Sequence, residues 1–179
     1  MKNKWCVSVA FLFFLVGICI NACTQECNSS NNDRWSEEKI QKWYDDQDWL
    51  IGCNYIPATA INQIEMWSAD TFNPKQIDKE LSWAHDLGFN TLRVFLSSVV
   101  WKNDAKGMKK RMDEFLNICK KYSIRPMFVF FDDCWNAESA YGKQPELKPG
   151  VHNSGWVQDP SCSLRKDTLT LYPFLQEYV

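Results

Sequence analysis

The sequence has little excess charge of either sign, few glycines and only two histidines. Its 20 Lys and Arg residues against 22 Asp and Glu leave a formal net charge of -2, which gives no electrostatic reason to expect a nucleic-acid partner. The seven glycines form no GxGxxG or P-loop pattern, so the phosphate-binding turn of a nucleotide-binding fold is missing. No Ser-His-Asp or Cys-His arrangement is recognisable, so the sequence does not indicate nucleophilic catalysis of that kind.

The eight cysteines show neither a CxxC pair nor a regular spacing. Cys6 and Cys19 fall in an N-terminal targeting segment and Cys23, just after it, is a predicted lipidation site; removing these three from the eight leaves an odd number, five. The pattern therefore predicts neither a disulfide framework nor a zinc site. Cys53 and Cys119 lie within apolar patterns, which predicts that both are small core residues.

The N-terminus has the features of an export signal. Lys2 and Lys4 precede an apolar run, Trp5 to Ile20, that is too short and too early for a membrane span. Ile20-Asn21-Ala22-Cys23 is similar to a bacterial lipobox, although Asn21 matches poorly. We predict a lipoprotein signal peptide over residues 1–22 with Cys23 lipidated; an ordinary secretory signal cut near Ala22 is the alternative.

Residues 23–34 are polar, with unbroken Ser and Asn from Asn28 to Asn32. This composition predicts a flexible tether between a lipid anchor and a folded body at residues 35–179. We therefore expect an exported protein that is held at a membrane surface, in the periplasm or on the cell surface, by its lipid.

Apolar runs and helical patterns alternate along the body. Trp49–Tyr55, Thr91–Leu96 and Pro126–Phe131 predict three strands, the last of them buried on both faces. A capping Asn73, Pro74 and a terminal Gly88 bound the first helix between the strands. A second helix is predicted from about Ala105 to Tyr122, and a short helix over Trp35–Asp48 leads into the body.

This alternation predicts an α/β fold with a parallel sheet. A doubly wound sheet and a (β/α)8 TIM barrel both fit, and the missing glycine-rich turn favours a partial barrel: the first three β/α units and, over Leu164–Val179, the start of the next helix. The long loop Asp132–Ser161 begins at the C-terminal end of a strand. In a barrel, that end is the active face.

Two groups of charged residues stand out. Arg93 lies inside an apolar strand, where a charge is costly unless it is paired; it could hold a carboxylate in the pocket or form a structural salt bridge. Asp132 and Asp133 are adjacent, so on a strand they point to opposite sides and at most one faces a pocket. Turn or capping chemistry is their alternative role. A metal site from these two and His152 is conceivable but is not favoured.

Sugar binding requires flat aromatic rings and hydrogen-bonding groups together. Nine of the residues are Trp, and core packing is the other role for any one of them. The candidate sugar-binding residues at the predicted strand ends and in the long loop are Asn54, Tyr55, Asp132, Asp133, Trp135, His152, Asn153 and Trp156.

Several of these segments carry a resemblance. NYIPATAINQIEMW, the DTFNP helix start, LGFNTLRVFL, RPMFVFFDDCW and GKQPELKPGVHNSGWVQDP together resemble the N-terminal half of cellulase-like glycoside hydrolases of Bacteroidetes, which are family 5-type, clan A (β/α)8 barrels. The resemblance covers roughly Trp49 to Val179. The INQIEMW and GVHNSGWVQ segments are specific, whereas the strand patterns are not.

The resemblance implies an activity and its residues. The family hydrolyses O-glycosidic bonds in β-linked polysaccharides such as cellulose, xylan or mannan, without a cofactor or metal, and Arg93 matches an arginine that supports the nucleophile. Ser97-Ser98 replaces the family's usual His-Asp. The family's acid/base glutamate lies in an Asn-Glu-Pro context after the fourth strand, and its nucleophile follows the seventh. Because no Asn-Glu dipeptide occurs here, we expect a chain truncated before both glutamates and inactive alone.

Two other interpretations stay open. The chain could be a non-catalytic surface lipoprotein that binds glycan through Trp135, Trp156 and their neighbours. It could also be a scaffold that folds poorly, because a partial barrel leaves open sheet edges and an uncovered inner face.

Overall fold

The computed structural model describes residues 34–166 and 168–179 of the chain. The chain divides into two compact units, Met1–Gln47 and Asp48–Val179. The predicted signal peptide, the lipidated Cys23 and nearly all of the tether lie outside the described residues. Within the described part, no helix is both long enough and apolar enough to cross a membrane.

In the first unit, the described residues form helix α1, Glu37–Asp45. The Ser36 side chain caps it by accepting a hydrogen bond from the Lys39 backbone N–H at 3.3 Å. Glu37 and Glu38 place negative charge in the first turn, where the helix dipole favours it. The predicted lead-in helix is therefore confirmed.

The second unit is a three-stranded parallel sheet with helices between and after its strands. The strands pair in the order β1-β2-β3, which confirms the α/β class and the neighbouring parallel strands. The elements are β1 (Gly52–Tyr55), α2 (Gln63–Trp67), α3 (Pro74–Asp86), β2 (Thr91–Phe95), α4 (Ser98–Lys121), β3 (Arg125–Val129), α5 (Cys162–Arg165) and α6 (Thr168–Tyr178).

Helix α3 follows the predicted start and stop signals. The Asn73 side chain accepts a hydrogen bond from the Gln76 backbone N–H at 3.0 Å, and Pro74 occupies the first helical position. Gly88, just past the end, has φ +84°, a left-handed conformation that glycine adopts without strain. Local residue chemistry thus fixes both ends of this helix.

Helix α4 begins earlier than predicted, at Ser98 rather than near Ala105. The difference comes from a kink at Asp104, whose φ of -152° is not helical. The Asp104 carboxylate accepts from the Gly107 backbone N–H at 3.0 Å and pairs with Arg111 at 2.9 Å. The periodicity after the kink predicted the second part of the helix and missed the first.

The two faces of the sheet differ in burial. Phe115 of α4 packs on Tyr55 and Phe128, with ring centroids 6.2 Å away in both cases. Leu92 and Val94 are buried in the same core. These contacts place the core between the helices and one face of the sheet.

The other face carries a row formed by Asn54, Arg93 and Met127, which are aligned by the strand register and are all exposed. The prediction that the third strand is buried on both faces is therefore wrong. Met127 is 53% exposed because, among the described elements, the helices pack on the opposite face.

The two cysteines predicted to be core residues have different environments. Cys119 on α4 is buried, as predicted, whereas Cys53 is exposed. Cys53 lies on β1, an edge strand of the described sheet, so it gains cover from a neighbouring strand on one side only. The apolar residues around Cys53 in the sequence did not indicate that its strand lies at the edge of the sheet.

The segment after β3 is a long loop, as predicted. Two isolated bridges fold it back on itself, Asp132 with Asp159 and Asn136 with Val157. Helices α5 and α6 follow, and Tyr178 at the end of α6 packs its ring on Phe130 at 5.6 Å. The predicted helix over Leu164–Val179 is therefore confirmed in two pieces.

Candidate functional site

A small cleft lies at the C-terminal ends of the strands. Tyr55 ends β1, Phe95 ends β2 and Asp132 follows β3. Because the strands are parallel, their ends meet at the same edge of the sheet. The residues that line the cleft are Asn54, Tyr55, Ile56, Asn62, Gln63, Met66, Phe95, Asp132, Trp156 and Val157.

Two buried amides of the INQIEMW segment hold one wall of this cleft. The Asn62 side chain caps α2 through its oxygen, and its Nδ2 donates to the Gly155 carbonyl at 2.9 Å. Gln63 Nε2 donates to the Val157 carbonyl at 2.9 Å. Trp156 is therefore held from both flanks, by residues that lie more than ninety positions earlier in the chain.

Gly155 allows this close approach. A Cβ at this position would lie 2.3 Å from an Ile61 methyl and 2.5 Å from a Leu147 methyl. Both distances are far below van der Waals contact, so a larger residue would have to displace the side chains of Ile61 and Leu147. The small residue beside Trp156 thus allows these side chains of the early and late segments to pack closely.

The aromatic residues of the loop form a cluster at the mouth of the cleft. The Trp135 and Trp156 rings lie 5.3 Å apart, edge to face, and the Trp135 and His152 rings 6.1 Å apart. Trp135 and Asn153 have φ of 76° and 50°, a left-handed conformation that non-glycine residues adopt at an energetic cost. Of the three rings only that of Trp156 lines the cleft, and Trp135 contacts it from outside the lining.

The two polar groups from β1 have different surroundings. Asn54 Oδ1 accepts from Arg93 Nη1 at 3.4 Å. The Tyr55 hydroxyl donates to Glu80 at 2.8 Å. Burial raises the pKa of Tyr55 well above its usual range, and the hydrogen bond to Glu80 raises it further. The Tyr55 ring lines the cleft, but its hydroxyl is already used by α3.

The adjacent aspartates separate as predicted. Asp132 lines the cleft, and its carboxylate accepts from the Cys134 backbone N–H at 3.2 Å. Asp133 bonds to Arg165 of α5 and accepts from Gln158 Nε2 at 3.2 Å. Asp133 is therefore a structural residue outside the cleft.

Arg93 lies on the open face of the sheet. Its guanidinium sits 4.6 Å from the Phe95 ring centroid. Among the described residues, no carboxylate lies within 4.0 Å of it. Neither role considered for Arg93, a bond to a pocket carboxylate or a structural salt bridge, is therefore formed by this part of the chain.

Asp159 is a buried acid that the sequence did not reveal. It is 2% exposed and accepts from the Ser98 backbone N–H at 2.7 Å and from the Ser98 hydroxyl. Burial raises the pKa of Asp159 to about 6, even though both bonds from Ser98 act to lower it; the charge of Asp132 adds to the increase. The Asp-Pro dipeptide was visible in the sequence, but its partner was not.

The cleft brings together Asn54, Tyr55, Asp132 and Trp156, and Asn153 lies in an adjoining groove. Asn62, Gln63 and Phe95 also line the cleft and had no predicted role. The sequence features that could have identified them were a capping residue, Asn62, directly before QIEMW, and an aromatic residue, Phe95, at the end of a strand. Across residues 34–166 and 168–179, no group of three His, Cys, Asp or Glu side chains could hold a metal ion.

Comparisons with protein-family models, with curated protein sequences and with solved structures found no match.

Proposed function

We propose that the cleft binds a β-linked glycan. The observation that carries this proposal is the placement of the half-buried Trp156 beside the amide of Asn54 and the carboxylate of Asp132, at the shared end of three parallel strands. Sugar rings present apolar C–H faces to aromatic rings and hydroxyls to amides and carboxylates. A mainly apolar pocket with a few fixed polar groups is the usual form of a small-molecule site.

We further propose that the chain forms the first β/α units of a glycoside hydrolase barrel. Consecutive strand order and helices on one face of the sheet support a singly wound arrangement. In such a barrel, the open row of Asn54, Arg93 and Met127 would face the interior. Hydrogen bonds join INQIEMW and GVHNSGWVQ, the two specific segments of the resemblance, at one wall of the cleft.

The Trp156→Ala variant tests the glycan site. The purified chain should be retarded in native gels that contain mixed-linkage β-glucan, xylan or mannan. Loss of the stacking ring should weaken binding by about 2 kcal/mol, or roughly thirty-fold, while Trp156→Phe should keep most of it. Trp83→Ala is the matched control, since Trp83 is an exposed ring on α3 that does not line the cleft.

The same purified chain can be assayed for turnover. We expect binding without release of reducing sugar, because the sequence holds no Asn-Glu dipeptide to supply the acid/base. Measurable hydrolysis would contradict this expectation, and equal retardation of the wild type and Trp156→Ala would contradict the site. The alternative interpretation, a non-catalytic lipoprotein that binds glycan, would use the same cleft.

Export and lipid anchoring are part of the proposal, on the strength of Lys2, Lys4 and the segment that ends at Cys23. Cys23→Ser should abolish incorporation of a radiolabelled fatty acid in a bacterial host, because the thiol that carries the lipid is lost. Cys27→Ser, four positions later, is the control and should be labelled normally. An unlabelled wild-type chain in the culture medium would instead favour an ordinary secretory signal.

A further inference from the structure

Helix α1 carries four large apolar side chains that are exposed. Ile40, Trp43 and Tyr44 share one side of the helix because they are spaced three and four positions apart. Trp35 joins them, since its ring centroid lies 6.5 Å from that of Trp43. These four residues, which we call the apolar face of α1, are between 46% and 63% exposed.

The opposite side of α1 is polar and nearly balanced in charge. The helix contains three acidic residues and two lysines. Gln41 Nε2 donates to Asp45 at 2.8 Å, and Lys42 pairs with Asp46 at 3.1 Å. A partner of α1 would therefore be attracted by the apolar face rather than by a net charge of either sign.

The helix is too short to be stable without such a partner. Isolated helices of fewer than about 12–15 residues are marginal in water, and most helical stability in proteins comes from packing an apolar face. α1 has nine residues, and none of them is buried. The helix therefore needs a surface that covers its apolar face.

The position of α1 in the chain indicates which surface this is. Twelve residues, 24–35, separate Cys23, the proposed lipid site, from the capping Ser36. A polar chain of that length spans about 20 Å on average. A lipid on Cys23 would thus keep α1 beside the bilayer at an effective concentration on the order of millimolar.

The residue types of the apolar face suit a bilayer surface. Trp and Tyr are enriched where lipid meets water, because the ring contacts the acyl chains and the N–H or O–H group reaches water. Trp35 and Trp43 meet edge to face, with 72° between their planes, so they do not form the flat platform on which a sugar chain would stack.

We propose that α1 docks in the membrane interface, with its apolar face toward the acyl chains of a zwitterionic lipid surface. The inference rests on the lipid anchoring in the proposed function and adds a second, non-covalent contact with the same bilayer. The docked helix would shorten the reach of the second unit, which begins at Asp48, three residues after α1 ends.

Tryptophan fluorescence tests this contact. The purified lipidated chain is inserted into phosphatidylcholine vesicles whose acyl chains carry bromine, which quenches tryptophan on contact. Trp35 and Trp43 are two of the eight tryptophans that follow Cys23, so emission should fall by up to about a quarter relative to unbrominated vesicles. The double variant Trp35→Phe/Trp43→Phe should lose this quenching, and Trp83→Phe should keep it.

A charge variant with a matched control gives the second arm. Ile40→Glu places a carboxylate on the apolar face, whereas Gln41→Glu places one on the polar side, and glutamate favours a helix at both positions. Ile40→Glu should reduce the quenching by about half or more, because a charge is costly to bring against acyl chains. Gln41→Glu should leave the quenching unchanged.

The outcomes separate the docking from the anchor. A lipidated wild type that is not quenched overturns the docking alone, and so does quenching that survives in the double phenylalanine variant. Retardation in polysaccharide gels that Ile40→Glu abolishes would assign the apolar face to glycan instead. A chain that carries no lipid on Cys23 overturns the anchor and the docking together.

Discussion

Replacing Trp67 by alanine is expected to lower the free energy of unfolding by about 3–5 kcal/mol. Trp67 is 0% exposed, and its ring meets Phe115 edge to face at 5.6 Å. Its Nε1 donates to the Phe95 carbonyl at 2.7 Å, at the end of β2. The variant therefore loses a large buried ring and the hydrogen bond to the Phe95 carbonyl. Urea unfolding followed by far-ultraviolet circular dichroism measures the difference.

Trp67→Phe separates the two contributions. It keeps a ring in the core but removes the indole donor, so a loss of about 2 kcal/mol is expected from the lost hydrogen bond and the lost volume. Trp83→Ala, at a tryptophan that is 52% exposed, should change stability by no more than about 0.5 kcal/mol. A Trp67→Ala chain as stable as the Trp83→Ala control would show that the core is not built around Trp67.

The acid at Asp159 should make stability depend on pH in an unusual direction. Its pKa is about 6 in the fold, against 3.8 for an ordinary aspartate. Between these values the folded chain holds a proton that the unfolded chain has released. The contribution of Asp159 to stability is therefore present below pH 3.8 and lost as the pH rises through about 6. The loss is at most roughly 3 kcal/mol.

Asp159→Asn is the variant that tests this. The amide can accept from the Ser98 backbone N–H and donate to the Ser98 hydroxyl, but it does not titrate. Unfolding free energies of both chains, measured from pH 4 to pH 7, should therefore diverge in favour of the asparagine variant as the pH rises. Other carboxylates are common to both chains and cancel in the difference.

Ser98→Ala provides the second arm of that experiment. It removes the hydroxyl donor that favours the ionised carboxylate, so the loss of stability with rising pH should be larger than in the wild type and extend to higher pH. A constant gap between the wild type and Asp159→Asn, or a gap of the opposite sign, would mean that the bonds from Ser98 outweigh the burial of the charge.

Local chemistry explains which parts of the fold could be predicted from the sequence. The bounds of α3 follow from residues close to them in the sequence, because Asn73, Pro74 and Gly88 act through their own backbone and side chains. The alternation of strands and helices likewise predicted the parallel sheet. The burial of Met127 and Cys53 depends instead on which face and which edge other elements cover, and no local pattern encodes that.

The candidate site shows the same division. Trp156 and Asp132 were found because rings and carboxylates after a strand point to a ligand. The roles of Asn62 and Asp159 were not found, because each depends on a partner 61 or more residues away in the chain. A capping asparagine and an Asp-Pro pair look ordinary until the segments they join are in contact.

The bond from Asn62 to the Gly155 carbonyl joins groups 93 residues apart, and this separation has a consequence for biosynthesis. At a translation rate of about 5–20 residues per second, Gly155 is added roughly 5 to 20 seconds after Asn62. Strand β1 precedes that interval of chain, and helices α2 to α4 and strands β2 and β3 lie within it; such short-range units close first. During synthesis, the sheet therefore forms before the segment that carries Trp156 has been made. Until then, the side-chain amides of Asn62 and Gln63 hydrogen-bond to water.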